Sequence, residues 1–388
     1  MDKKTSDRML AISPFYVMAL LQRAKQLESE GRDVIHMEIG EPDFPTPKAI
    51  VEAGVRLLQT GDVKYTPAAG LPELRQKIAR FYQSQYGVSV APERIFITPG
   101  ASGAFLLALG ISLNPGEELL MADPCYPCNS NFACLFGAVP RALPVDASTS
   151  YQLTADQVKQ HWHSHSKGVL VASPSNPTGT LISPEALQAV VQTTNALGGC
   201  FYSDEIYHGL VYGQNATTAL QYSDEVFVIN SFSKYFGMTG WRIGWLVVPE
   251  GFISAAEKLA QNIFIATSTH SQYAALAAFD KETLVELERR RAELAARRDF
   301  LYAHLLDLGF GIPAKPEGAF YIYADCSGFT DDSFQFALDF LEQEAVAITP
   351  GKDFGTYNAQ HNLRFAYTTT ADKMAAAMQR LERFINKG

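Results

Sequence analysis

A lysine set between hydroxyls, with an arginine eight residues later, stands in the run Ser231-Phe232-Ser233-Lys234-Tyr235-Phe236-Gly237-Met238-Thr239-Gly240-Trp241-Arg242-Ile243-Gly244. Residues 225–230 before it read as a buried parallel strand, so Lys234 falls where that strand ends, at the ligand-binding edge of an open α/β sheet. Desolvation and a neighbouring cation both disfavour an ammonium, and the free amine that remains attacks a carbonyl to form an imine. Ser231, Ser233 and Arg242 offer the donors a dianionic phosphate needs, Arg242 through a bidentate contact. A lone Ser-x-Ser-Lys would be read as a surface loop. The whole run is far more specific.

At every position compared, that run resembles the pyridoxal phosphate attachment signature of class I and II aminotransferases. The resemblance implies pyridoxal 5'-phosphate as cofactor and requires other residues upstream. A protonated pyridine ring needs an acidic partner to act as an electron sink. Asp204 fits, since it follows the apolar stretch 199–203 and Asp204-Glu205-Ile206-Tyr207 matches the family pattern. Tyr207, and Asn176 in the turn Asn176-Pro177-Thr178-Gly179, are implied as donors to the ring oxygen. Thr98-Pro99-Gly100-Ala101-Ser102 reads as a strand passing through a glycine turn into a helix whose first amides bind an anion. The family pattern assigns Ala101 and Ser102 to the phosphate. Tyr126 corresponds to the aromatic residue that stacks on the ring. Tyr65 resembles the tyrosine that reaches the phosphate from a neighbouring subunit, which implies a homodimer.

For the substrate, the resemblance implies that Arg364, in the stretch 362–366, holds the α-carboxylate by its planar fork. Gly40, in the stretch 39–44, and Asn176 lie near the same carboxylate. Lys234, Asp204 and Tyr207 form the catalytic set, with Lys234 moving the proton in a ping-pong exchange between an L-amino acid and a 2-oxo acid. Some aspartate-specific relatives carry a lysine where this chain has Ala101-Ser102-Gly103, and residues 12–16 are mostly apolar, so an apolar or aromatic donor is expected. A carbon-sulfur β-lyase on the same fold is the alternative, because Lys234, Asp204 and Arg364 serve that reaction equally well. A non-catalytic regulator of the same fold is the second alternative.

The elements that must position these residues are strands alternating with helices. Apolar stretches at 94–98, 118–121, 169–172, 200–203, 226–230 and 243–248 are separated by helical segments such as 101–109 and the one opening at Ser183-Pro184-Glu185. This pattern reads as an α/β fold with a mostly parallel sheet in an αβα sandwich. Beyond 268 a long helical region follows, with the mixed charges of 286–294 expected on a solvated face. Strands at 318–323 and 363–367 flank a helix at 332–343, as in the smaller α+β domain of the same family. The division expected is a large domain at 43–286 and a small one formed by 1–42 with 287–388.

With 388 residues the chain is long enough for two domains and a cleft between them. A net charge of −9 argues against nucleic acid as a partner. No apolar run reaches the roughly 18 residues of a membrane helix, and the polar first residues lack the apolar core of a signal peptide, so the expected place is the cytoplasm. Cys125 and Cys128 form a C-x-x-C pair with no second pair to complete a zinc site. His161, His163 and His165 alternate in what reads as a solvated connection, so no metal is expected.

Overall fold

The computed structural model describes residues 5–12 and 16–387. Ser13, Pro14 and Phe15, from which part of the expectation about the donor came, lie outside them. Twelve strands follow in chain order: β1 (Ile35–His36), β2 (Ile95–Thr98), β3 (Glu118–Asp123), β4 (Val139–Pro144), β5 (Ser166–Ala172), β6 (Cys200–Asp204), β7 (Val226–Ser231), β8 (Gly244–Val247), β9 (Tyr321–Asp325), β10 (Val346–Ala347), β11 (Thr349–Pro350) and β12 (Asn362–Ala366).

Seven of them form the central sheet in the order β2-β8-β7-β6-β5-β3-β4, with β8 antiparallel to both its neighbours and the other pairs parallel. Both faces are covered, and the period of two sorts the side chains cleanly. Ile95, Ile97, Val169, Val171, Val226, Val228, Trp245 and Val247 enter one apolar core, while Phe96, Leu170, Phe227, Ile229 and Leu246 enter the other. The expected α/β sandwich is therefore present. Strand β4 escaped the sequence reading because Val139-Pro140-Arg141-Ala142-Leu143-Pro144 carries two prolines and is largely exposed, which an edge strand tolerates.

A third core joins the two ends of the chain. Leu20, Ala24, Leu27, Val34, Ile35 and Met37 pack with residues from 294 to 381, and β1 pairs in parallel with β10. The antiparallel sheet β11-β12-β9 belongs to the same body. Its strand β9 starts later than expected because Ala319 is left-handed, with φ 56°, and breaks the extended run. The helix Lys281–Asp307 passes without interruption through the expected boundary at 286, with Leu287 in a core beside the large sheet and Leu294 in the third core. Its charged run is not wholly solvated. Arg290 is buried, donating to the Pro45 carbonyl and pairing with Glu286.

The lysine run is anchored by Phe232, which has no exposed surface and lies 4.9 Å from the Trp245 ring, 5.0 Å from Phe236 and 5.7 Å from Phe279. Truncating it empties an aromatic core directly beneath the loop. Phe232→Ala is expected to cost about 3–5 kcal/mol in urea unfolding of the cofactor-free protein, and Phe232→Leu clearly less. Equal midpoints for Phe232→Ala and wild type would show that this cluster does not hold the loop.

Candidate active site

The parallel strands end along one edge of the sheet, and the chain returns there at the start of β8, where Gly244 is in register with both Thr98 and Ser231. Asp204 ends β6 opposite Ala172. Their side chains and the loops beyond them open into a cavity of 560 Å³, lined by Gly40, Ala101, Ser102, Tyr126, Asn176, Asp204, Tyr207, Ser231, Ser233, Lys234, Arg242 and Arg364. Residues spread over more than three hundred positions thus meet in one place. Tyr65 is the exception: it is 82% exposed and lies outside the cavity of its own chain.

Lys234 is half-buried, and desolvation holds its ammonium down at about 8, with Arg364 and Arg242 adding to the effect against Glu41 and Asp204. Its Nζ donates to the Gly40 carbonyl at 2.8 Å. A Cβ at Gly40 would lie 1.9 Å from the Tyr321 hydroxyl, so any larger residue there would have to push that ring aside. Asp204 is pushed up to about 7 by burial, against the Ile206 amide and the charge of Lys234. Both groups are thus poised near neutrality, the condition for moving protons at physiological pH.

At one end of the cavity the helix Gly100–Ser112 presents its first turn, whose amides have no acceptor within the helix. Ser231 Oγ donates to Ser233 Oγ at 2.9 Å beside it. Arg242 closes this end from a left-handed backbone, φ 50°, and a Cβ at Gly100 would stand 2.7 Å from its Nη2. Here glycine keeps a space open next to a guanidinium and a helix N-terminus, a cradle built for an anion. At the other end Arg364 is 5% exposed and clamped in place. It donates to Asn176 Oδ1 at 2.9 Å and Thr349 Oγ1 at 3.1 Å, and to the Glu38 carbonyl, with Tyr321 4.2 Å from its carbon.

Several residues here carried no motif. Tyr321 meets Tyr207, hydroxyl to hydroxyl, at 3.0 Å. Asp353 accepts from the amides of Tyr16 and Val17 at 2.6 and 2.7 Å, fixing the start of the helix Tyr16–Ser29, whose Val17, Met18 and Leu21 line the cavity. Only a fold could reveal these, because their partners lie over a hundred residues away. Cys125 is no nucleophile, as burial raises its thiol to about 12. His163 pairs with Glu118 at 2.8 Å.

A sheet edge that gathers an amine of lowered basicity, a buried acid, an arginine beside a helix N-terminus and a second, clamped arginine can hold two anionic groups either side of a reactive amine. The chain belongs to the aminotransferase class I and II family, whose profile matches residues 32–381. It is an aminotransferase. It is 38% identical to the valine–pyruvate aminotransferase of Mycobacterium tuberculosis over 95% of this chain and 96% of that one. It is 32% identical to an aspartate aminotransferase of Geobacillus stearothermophilus over 98% of this chain and 99% of that one. The crystal structure of an aminotransferase from Mycobacterium tuberculosis superposes with a TM-score of 0.96 at 36% identity, covering 100% of both chains. The family implies pyridoxal phosphate, and the donor set fits it: an anion cradle, a buried acid and an amine share one cavity of sufficient size. Among the described residues no helix is long and apolar enough to cross a membrane.

The raised Asp204 carboxyl has a consequence for stability. Its folded value of about 7 exceeds the unfolded 3.8, so the folded state binds the extra proton and the contribution is lost as pH rises through 7. Cofactor-free wild type should therefore lose more melting temperature between pH 5 and pH 8 than Asp204→Asn does. Parallel pH profiles for the two proteins would contradict the burial assigned to this carboxyl.

Proposed function

We propose that this aminotransferase holds pyridoxal 5'-phosphate through Lys234 and passes an amino group from an apolar L-amino acid to a 2-oxo acid. The observation that carries the reading is the convergence of Lys234, Asp204, Arg242 and Arg364 on one cavity. When bound, the cofactor supplies the aldehyde that takes up the amino group and the electron-withdrawing ring that makes the substrate's α-hydrogen acidic.

The chain's own groups do the rest. Ala101, Ser102, Ser231, Ser233 and Arg242 hold the phosphate, and Tyr126 covers one face of the ring. Asp204 gives the ring nitrogen its anionic partner, while Tyr207 and Asn176 donate to the ring oxygen. Arg364, with Asn176 and the backbone of Gly40, orients the substrate carboxylate. Lys234 carries the proton between the α-carbon and the cofactor, and its depressed basicity at about 8 suits it to both directions of transfer. The large body is residues 43–286, and 1–42 with 287–388 form the small one.

Val17, Met18, Leu21, Ile39 and Phe354 give the substrate end an apolar wall, which favours a donor such as valine. The name of the Mycobacterium tuberculosis relative points the same way. The test is the visible band of the purified holoenzyme, titrated with single amino acids and no acceptor. Valine should bleach it with stoichiometric release of the 2-oxo acid. Arg364→Ala should keep the band but need about 10- to 100-fold more amino acid. Selective bleaching by aspartate over valine and phenylalanine would overturn the donor, and ammonia with pyruvate would indicate a lyase.

A homodimer completes the site, with Tyr65 reaching the phosphate of the neighbouring chain. Its exposure in the single chain leaves the ring free to enter the site of a second copy. Tyr65→Phe should leave a dimer by sedimentation and release the cofactor faster on dilution. A monomeric holoenzyme with full cofactor would overturn it.

A further inference from the structure

Two phenols face each other in the wall of the cavity. The hydroxyls of Tyr207 and Tyr321 stand 3.0 Å apart, and both residues line the same space. Tyr207 is 4% exposed and Tyr321 2%, so little water is at hand to replace that contact. Among the described residues each hydroxyl has the other as its one hydrogen-bond partner. Burial raises both phenols above the ordinary tyrosine range, and both keep their hydrogens.

Two hydroxyls hold two hydrogens, and the contact between them uses one. The distance alone lets either oxygen donate. A ring oxygen facing Tyr207 decides the direction, because Tyr207 has a single hydrogen. Once that hydrogen goes to the ring oxygen, Tyr207 can only accept from Tyr321. The surroundings of Tyr321 agree with this. The backbone of Gly40 packs against its hydroxyl, where a Cβ would lie 1.9 Å away, and leaves the Tyr207 oxygen as the acceptor for its hydrogen. Arg364 lies over the ring, 4.2 Å from its centroid, and a cation there makes the phenol a better donor. Tyr321 opens β9 opposite Ala366 of β12, the strand that carries Arg364, so strand register sets both. Phe320 meets the Tyr207 ring edge to face at 5.4 Å and 88°, which holds the second phenol in line.

We propose that Tyr321 is a positioning residue: its hydroxyl donates to Tyr207, directing the single hydrogen of Tyr207 to the cofactor's ring oxygen and strengthening that bond. Hydrogen bonds in series polarise one another, so a phenol that accepts one donates the next more strongly. A stronger donor stabilises negative charge on the ring oxygen and thereby lowers the proton affinity of Lys234 Nζ in its linkage to the cofactor. The charged and titratable groups facing the two phenols are Arg364, Tyr126, Tyr367 and Lys234, whose Nζ is 5.8 Å from the Tyr207 ring centroid.

The proposal rests on the ring-oxygen role given to Tyr207 above. Its test is the pH midpoint of the visible cofactor band, read without substrate in wild type, Tyr321→Phe, Tyr207→Phe and the double variant. Tyr321→Phe keeps the ring beneath Arg364 and should raise the midpoint by about two- to fourfold in proton concentration. Tyr207→Phe should raise it further, and adding Tyr321→Phe to Tyr207→Phe should change nothing. Equal midpoints in Tyr321→Phe and wild type, with Tyr207→Phe shifted, would overturn the relay and leave the role of Tyr207 standing. A Tyr321→Phe shift that persists undiminished in the double variant would also overturn it, since Tyr321 would then act on the ring oxygen itself. An unmoved midpoint in Tyr207→Phe would remove the ring-oxygen role and the relay with it. Titration with an amino acid gives the second readout. Tyr321→Phe should half-saturate at the wild-type concentration, and weaker binding with an unmoved midpoint would assign Tyr321 to Arg364 alone.

Discussion

The site depends on lowering the basicity of one amine. Lys234 sits at a strand end where burial, not a strong base or a bound metal, draws its proton affinity down to about 8. A lysine with a close carboxylate partner would be pinned as an ammonium, so its nearest acceptor is an uncharged one, the Gly40 carbonyl at 2.8 Å. Glycine at 40 admits the Tyr321 hydroxyl, and Tyr321 in turn backs both Tyr207 and Arg364. The anion cradle at the far end adds positive potential without touching Nζ.

Much of this geometry was legible from residue types, because the motifs fall at strand ends and parallel strands bring their ends to one edge. Lys234 after β7, Asp204 at the end of β6, Asn176 after β5 and Ala101 after β2 needed only the alternation of apolar stretches and helices to be aligned. The aromatic packing that holds Phe232, and the arginine that closes the cradle from a left-handed backbone, follow the same run of sequence. What stayed hidden has a common cause. Tyr321, Asp353 and Val17 act through partners far along the chain, and no local pattern encodes a contact made only when β1 pairs with β10. The edge strand β4 and the left-handed Ala319 were missed for a different reason, since proline and a positive φ break the periodicity from which strands are read.

Hydrogen bonds join the end of β3 to the loop that precedes β12. Asp123, at the end of β3, accepts from Thr356 through both its amide and its hydroxyl and from the Tyr357 amide, and a Cβ on Gly355 would collide with it. Three residues earlier in the same loop, Phe354 faces Arg364 and its carbonyl accepts from the Cys125 amide at 2.8 Å. Asp353 then carries the connection to the helix Tyr16–Ser29. One short loop therefore links the sheet edge, Arg364 and the helix whose first turn lines the cavity.

This arrangement separates the chemistry from the choice of substrate. Lys234 and Asp204 stand at the ends of strands β7 and β6, where strand register fixes them to each other. The apolar side of the cavity comes instead from the first turn of the helix Tyr16–Ser29, which Asp353 fixes and which packs into a different core. Aminotransferases named for valine and for aspartate resemble this chain to similar degrees, at 38% and 32% identity.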